Sequence, residues 1–457
     1  MIFDTEKILN DFSGRTAYSA GGKTFTYREL FERAKEISGE ISAEECSAAA
    51  IIGSRNFETM AAITACVISG CAYIPVDISL PEERRKSIIE SSGALVLIDC
   101  TGEKTVLRKI KHPEENGGKN KTAYIIFTSG STGKPKGVPI SYSNLENFIR
   151  WMNALEPLWG FEHAAVLNHA SFGFDLSTAA IYYALTNGHA LVQYENNGDF
   201  ANLFSVIEEN KTDIIVATPT FLRLCMLSRD FNAENFPFIK CIYFCGETLQ
   251  KSLAKAVFER FPGIRIINAY GPTEATSAVC AIEITKEILE HEEILPVGKI
   301  SSAAAEIVIE DGEIVLKGES VFKGYLGGIS GGYYSENGID CYRTGDIGFI
   351  KDGKLYFRGR KDGQIKFKGY RIELSDIEAN LSEISGIENC AVIAKRNPEG
   401  EVRFLKAFVS GNVPEEKIRA ELLKKLPDYM IPKNIRVLES LPMNKNGKTD
   451  RKELMNL

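Results

Sequence analysis

What this chain can fold into is constrained first by a repeated alternation. Asp213-Ile-Ile-Val-Ala-Thr-Pro219, Ile242-Tyr-Phe-Cys-Gly-Glu247 and Ile264-Arg-Ile-Ile-Asn-Ala-Tyr270 are short apolar runs, and helix-length segments such as Lys251–Phe261 lie between them. Strand-length apolar runs alternating with helices are the pattern of βαβ winding, which builds a largely parallel sheet. The first 120 residues repeat it. Thr26-Tyr27 opens a helix with Leu30, Ala34 and Ile37 on one face, Ala48–Ile52 reads as a strand, Phe57–Ile68 as a helix and Gly70–Asp77 as a strand. In such sheets ligands sit beyond the carboxyl ends of the strands, so the residues after each run are the ones to search.

Two stretches break the rhythm. From Pro296, short strands and glycine-rich turns dominate: Ala305–Ile309, Gly312–Gly318 and Gly324-Tyr-Leu, which predict a small antiparallel β subdomain. Past the glycine-punctuated Gly359–Glu373, helices are expected over Leu374–Ile384 and Glu415–Leu426, with strands at Ala391–Ala394 and Phe404–Val409. The expected architecture is therefore α/β: a large N-terminal domain, residues 1–361, of doubly wound α/β subdomains plus the small β subdomain, then a small α+β C-terminal domain, residues 362–457. The polar segment Glu103–Lys121 reads as an exposed connection.

The chemistry concentrates in a few strings. Tyr124-Ile-Ile-Phe127 is a buried-strand pattern that breaks into Thr-Ser-Gly-Ser-Thr-Gly-Lys-Pro-Lys-Gly137. Small residues let backbone N–H groups approach a polyanion, hydroxyls donate further hydrogen bonds and lysines add charge. It is not a standard P-loop, because Thr128 replaces the first glycine and Pro135 stands where a Mg²⁺-binding hydroxyl and a helix should follow. A polar turn between strands would explain a bare Ser/Gly loop, but not the whole string with two lysines. Asn268-Ala-Tyr-Gly-Pro-Thr-Glu274 offers an aromatic face, a tight turn, a hydroxyl and a carboxylate. In Asn168-His-Ala-Ser-Phe-Gly-Phe-Asp175-Leu-Ser177 a carboxylate sits beside two phenylalanines, where an unpaired charge would be costly; a helix cap is the plain alternative.

In this order the strings resemble the adenylate-forming enzymes: acyl-CoA synthetases, luciferases and the adenylation domains of nonribosomal peptide synthetases. The resemblance spans essentially the whole chain, and it implies ATP and Mg²⁺. Thr128, Ser129, Gly130, Ser131, Thr132, Gly133 and Lys134 would cradle the phosphates, with Thr128 also counted as catalytic. Asn268, Ala269, Tyr270, Gly271, Pro272 and Thr273 would flank the nucleotide, and Glu274 would be the catalytic metal ligand. Asp346, in Tyr342-Arg-Thr-Gly-Asp346, would hold the ribose hydroxyls, since a carboxylate suits two vicinal donors; a turn is the plain reading of Thr-Gly-Asp. Phe357, Arg358, Gly359 and Arg360 would complete the nucleotide site. Asp362 would be the hinge of a mobile C-terminal domain. Lys448, in Asn446-Gly-Lys-Thr-Asp-Arg451, would bridge the substrate carboxylate and the α-phosphate.

The amino-acid-activating branch is implied by Asp175, which would pair with the substrate ammonium group, with His169 as a gate and Cys245 and Ser277 lining the pocket. A CoA ligase for an organic acid is disfavoured by the same Asp175. A catalytically silent nucleotide-binding module is disfavoured by Glu274, Asp346, Arg360 and Lys448. Phe174-Asp-Leu-Ser177, Phe244-Cys-Gly-Glu247 and Tyr270–Thr276 are most similar to members that activate D-alanine for a phosphopantetheinylated carrier protein, as in teichoic acid D-alanylation. Ala179 stands where a bulkier residue is expected, which enlarges the pocket unless Tyr243 refills it, and the chain is somewhat short for those members. The alternative is a free-standing peptide-synthetase adenylation domain for another small or apolar amino acid.

Composition agrees with this class. The 457 residues are 44% hydrophobic and 25% charged, as in ordinary globular domains, and the formal net charge of −7 argues against a nucleic-acid partner. Met1-Ile-Phe-Asp-Thr-Glu-Lys lacks a secretory n-region, and no run of about 18 apolar residues predicts a membrane span. The ten cysteines are scattered without metal-ligand spacing and read as reduced, mostly buried thiols of a cytoplasmic protein; a monomer is expected.

Overall fold

The structure is a computed structural model and describes residues 4–43, 46–102, 104–110, 121–130, 133–155, 158, 160–194, 200–329, 331–397, 400–443 and 449–457. By its internal contacts the chain forms two compact units. Met1–Asp77, Ser92–Ile126 and Gly137–Gly359 make the first; Ile78–Ser91, Phe127–Lys136 and Arg360–Leu457 make the second.

The first unit is organised by the predicted winding. Its eight-stranded sheet runs Cys280–Glu283, Arg265–Tyr270, Cys241–Phe244, Ile214–Ala217, Ala165–Asn168, Ala190–Gln193, Thr16–Ala20, Lys23–Thr26. Its pairings are parallel except at the two edges, which close antiparallel. A second sheet orders Val106–Lys109, Val96–Asp99, Ala48–Gly53, Ala72–Asp77, Thr122–Thr128 and Lys136–Ser141. The helix Phe57–Ser69 is covered along most of its length, Thr59 through Val67 being buried; Asn56 caps its start by accepting from the Thr59 N–H, and Gly70 ends it at φ 72°. The antiparallel subdomain expected from Pro296 is present as Gly298–Lys299, Lys354–Arg360, Ile339–Lys351, Glu313–Lys317 and Glu306–Glu310 in sheet order, with Tyr333–Glu336 added alongside.

The second unit contains the hairpin Gln364–Phe367/Tyr370–Glu373, whose two turn residues, Lys368 and Gly369, both have positive φ as a primed turn requires. The helix Leu374–Ser382 follows. Ile387–Arg396 pairs antiparallel with Val402–Gly411, which pairs parallel with Asn434–Leu438, and the helix Glu415–Lys425 connects the last two. Ile365, Ile377, Leu381, Val392 and Leu422 share its core. The α+β reading of the tail is borne out.

Two local expectations change and two plain alternatives fall away. Val106–Lys109, inside the segment read as a connection, is an edge strand paired antiparallel to Val96–Asp99. Gly324-Tyr-Leu is not a strand; Gly324 has φ 99° and a short 3₁₀ turn begins at Leu326. Asp175 is not a helix cap but the first residue of the helix Asp175–Thr186, after Phe174 at the cap. Thr344-Gly-Asp346 is not a chain-reversing turn, because the strand Ile339–Lys351 runs through it. Among the described residues no helix is long and apolar enough to cross a membrane, and all ten cysteines are free, eight of them buried.

Candidate active site

The parallel register of the first unit brings separate strings to one edge. Val216 lies opposite Asn168, Ala217 opposite Phe244, and Phe244 opposite Asn268. The residues that follow these strand ends, His169, Thr218, Cys245 and the Tyr270–Ser277 turn, therefore leave the sheet on the same side. Ala165–Asn168 has Ile214–Ala217 on one flank and Ala190–Gln193 on the other, so the winding reverses there. A crevice at that switch point is where an open α/β sheet binds ligands.

Asp175 opens the helix just past this point. Its Oδ2 accepts a hydrogen bond from Thr273 Oγ1 at 2.5 Å, joining two strings 98 residues apart. Asp175 lies in the first turn of that helix. Cys245 and Ser277 meet beside it: Cys245 Sγ donates toward the Ser277 carbonyl at 3.9 Å, and Ser277 Oγ is buried with no hydrogen-bond partner among the described residues. The Tyr243 hydroxyl is buried likewise, and burial, with Cys245, Cys280 and Asp175 near, raises its phenol well above the usual value.

This turn is strained. Thr276 and Ser277 have φ of 61° and 70°, a left-handed conformation uncommon for a β-branched residue. Thr276 is tied down by its hydroxyl, which donates to the Ser320 carbonyl at 2.9 Å. Gly271 lets the turn fold back on itself, since a Cβ there would stand 2.5 Å from Ala278 Cα and 2.9 Å from the Ser277 oxygen.

Glu274 is fully buried in the same turn. Its carboxylate accepts from Tyr325 Oη at 2.6 Å, and its carbonyl accepts from the Phe322 N–H at 2.8 Å. Tyr270, at the end of its strand, donates its hydroxyl to Asp346 Oδ2 at 2.7 Å, with Phe357 tilted beside its ring. Asn268 is committed elsewhere, its amide donating to the Pro296 carbonyl at 2.8 Å, and Ala269 is buried in the sheet. Pro272 starts the 3₁₀ turn Thr273–Ala275. Arg358 is exposed, its guanidinium 4.4 Å above the Phe349 ring, and Gly359 has φ 151°. His169 stacks face to face on Phe221 at 3.9 Å and accepts from the Thr218 N–H. Burial and the neighbouring Arg55 guanidinium push its imidazole down to about 3, so it is neutral at ordinary pH.

The second unit holds the other predicted residues. Thr128 ends a strand, Ser129 is buried, Gly130 is enclosed, Gly133 has φ 81°, and Lys134 is exposed. A Cβ on Gly130 would collide with the Lys134 carbonyl at 2.2 Å, so the loop is folded tightly. Arg360 forms a two-pronged pair with Asp362, at 2.8 and 2.7 Å, which holds that carboxyl below its usual range against the effect of burial. Ser131, Thr132 and Lys448 lie outside the described residues.

Several participants carry no sequence signal. Tyr325 reaches Glu274, Arg55 donates to the His169 carbonyl at 2.6 Å, and Phe221 supports the His169 ring. Each is a single residue in an ordinary context, and only the fold reveals it.

Comparison with known proteins follows the same lines. Residues 5–326 match the AMP-binding enzyme model, and residues 376–448 match the AMP-binding enzyme C-terminal domain. The D-alanine–D-alanyl carrier protein ligase of Bacillus licheniformis is 37% identical, covering 94% of this chain and 93% of that protein. A ligase of the same name from Bacillus cereus is 34% identical, covering 100% of this chain and 99% of its own. The Vibrio cholerae adenylation domain AlmE, crystallised with glycyl-adenosine-5'-phosphate, superposes with a TM-score of 0.85 at 23% identity over 99% of this chain and 97% of that one. With the winding, the order of its strings and both domain models in agreement, this chain belongs to the AMP-binding enzyme family.

Proposed function

We propose that the chain couples ATP to the activation of D-alanine as D-alanyl-AMP, and then passes the D-alanyl group to the phosphopantetheine thiol of a carrier protein. The observation that carries this reading is Asp175. Its carboxylate is held by Thr273 beyond the carboxyl ends of the parallel strands, where the side chains of Cys245 and Ser277 are small. An anion beside a small pocket suits a short amino acid with a free ammonium group. Full-length similarity to ligases named for D-alanine and its carrier protein supports the substrate and partner.

The roles divide by chemistry. Asp175 takes the ammonium group, and Cys245, Ser277 and Tyr243 limit the side chain. Tyr270 offers a face to the base, and Asp346 accepts from the ribose. The hydroxyls and backbone N–H groups of the Thr128–Lys134 loop take the phosphates. The substrate carboxylate oxygen then attacks the α-phosphorus, a bond forms there, and pyrophosphate leaves with the electron pair of the broken P–O bond. Lys448 neutralises charge on the attacking and α-phosphate oxygens. In the second half-reaction the sulfur attacks the acyl carbon, its proton is lost, and AMP leaves. Residues 362–457, hinged at Asp362, are proposed to reposition between the two steps.

Mg²⁺ fits this site in one way. Among the described residues no group of three carboxylates, histidines or cysteines could hold a metal alone. Magnesium, however, is commonly held by one carboxylate together with substrate phosphates. Glu274, a buried carboxylate in a hydroxyl-bearing turn, supplies that donor. When bound, the ion would neutralise phosphate charge. A cytoplasmic location is proposed from the need for ATP. The test is intact-mass detection of a carrier protein's phosphopantetheine arm: ATP, D-alanine and the chain together should add one alanyl group, and no added mass would reject the transfer.

A further inference from the structure

We infer that Glu373 is an internal stand-in for phosphate, engaging Lys136 beside Ser129 and competing with the polyphosphate that the phosphate loop serves. The inference rests on the proposed role of that loop.

All the groups concerned belong to the second unit. Ser129 Oγ donates to the Arg371 carbonyl at 3.0 Å and accepts from the Glu373 N–H at 3.0 Å. Lys136 Nζ pairs with Glu373 Oε1 at 3.0 Å, with both side chains more than four-fifths buried. Asp376, fully buried in the first turn of the helix Leu374–Ser382, pairs with Arg84 Nη2 at 3.0 Å. Its other oxygen accepts from the Asn380 amide at 3.1 Å. Arg84 also reaches the Gly133 carbonyl at 3.5 Å. The packing is flush, since a Cβ on Gly133 would stand 2.9 Å from the Ala379 Cβ.

A hydroxyl proton and an ammonium group are donors that such a loop offers phosphate, and at Ser129 and Lys136 both are engaged by protein oxygens. A hydroxyl carries one proton, so phosphate bound at Ser129 and Lys136 would have to displace these contacts. The favourable first-turn position explains a carboxylate at Asp376. It does not explain Glu373 on Lys136. Arg360 repeats the theme, capped by Asp362 at 2.8 and 2.7 Å. This internal anion would hasten pyrophosphate release, because each contact it recovers is one that pyrophosphate must give up.

The experiment is titration calorimetry of ATP and of inorganic pyrophosphate, both with Mg²⁺, into the full chain and into Glu373→Gln. The variant should bind pyrophosphate about three- to tenfold more tightly, a gain that simple structural damage would not produce. Hydrogen exchange of the wild type gives a second readout: the Glu373 amide should exchange faster once pyrophosphate is added. Wild type that binds neither ligand overturns the phosphate-loop reading and this inference with it. Wild type that binds both, with equal or weaker binding by the variant, overturns the inference alone. If the variant does not fold, a Glu373 amide that is unchanged or slowed by pyrophosphate overturns it.

Discussion

Replacing Asp175 with asparagine isolates the charge that the substrate assignment needs. Asparagine keeps the shape and can still accept from Thr273 Oγ1, which lies 2.5 Å from the carboxylate, so the turn should stay in place. An ammonium group about 3 Å from a carboxylate is attracted by roughly 5–6 kcal/mol at an effective dielectric of about 20. Asp175 is only partly buried, and desolvation of both ions offsets part of this, leaving about 2–4 kcal/mol. That corresponds to a loss of about 30- to 1,000-fold in kcat/KM. The assay is ATP–pyrophosphate exchange with D-alanine and with D-lactate, which has a hydroxyl where the amine stands. Asp175→Asn should lose about 30-fold or more with D-alanine and less than about threefold with D-lactate. An equal fall for both substrates, or no fall for D-alanine, would refute the ammonium contact.

Three further outcomes follow from particular groups. Gly271→Ala forces a Cβ to 2.5 Å from the Ala278 backbone, which should cost about 1–3 kcal/mol and raise the KM for the amino acid by displacing Ser277; unchanged melting and KM would contradict the packing. His189 accepts from the Ala164 N–H at 3.1 Å through Nδ1, and burial, helped by His163 and Arg15, pushes it from the ordinary 6.5 down to about 4. The unfolded chain then binds a proton that the folded one resists, so this contribution is intact above pH 6.5 and declines as pH falls toward 4, by up to about 1.4 kcal/mol per pH unit. His189→Asn, read by thermal melts at several pH values, should flatten that slope, and an unaltered slope would count against it. Lys448→Ala should impair adenylation far more than thiolation of preformed adenylate; equal losses in the two half-reactions would remove its assigned role.

The winding was legible because each strand announces itself as a short apolar run between helices, and its parallel order then places His169, Cys245 and Tyr270 on one edge. Pairings between distant strings were not legible. Nothing local to Tyr270 says that its hydroxyl meets Asp346, 76 residues on, or that Ser129 bonds the Arg371 carbonyl 242 residues away. Val106–Lys109 escaped notice because an exposed edge strand, with only Leu107 half-buried, lacks the alternation that marks a core strand. For Asp175 the sequence leaves a helix cap open as the plain alternative, because residue type alone cannot show that the helix starts at Asp175 itself or that Thr273, 98 residues on, bonds its carboxylate. The left-handed Thr276 and Ser277 contradict their own propensities, and such conflicts tend to mark functional turns.

The central claim is that this chain makes an aminoacyl adenylate from D-alanine. Amino-acid-dependent ATP–pyrophosphate exchange tests it most directly, run with D-alanine, L-alanine, glycine and valine. The account predicts exchange that is strongest with D-alanine. No exchange with any amino acid would contradict activation itself, and exchange no stronger with D-alanine than with L-alanine or valine would contradict the substrate.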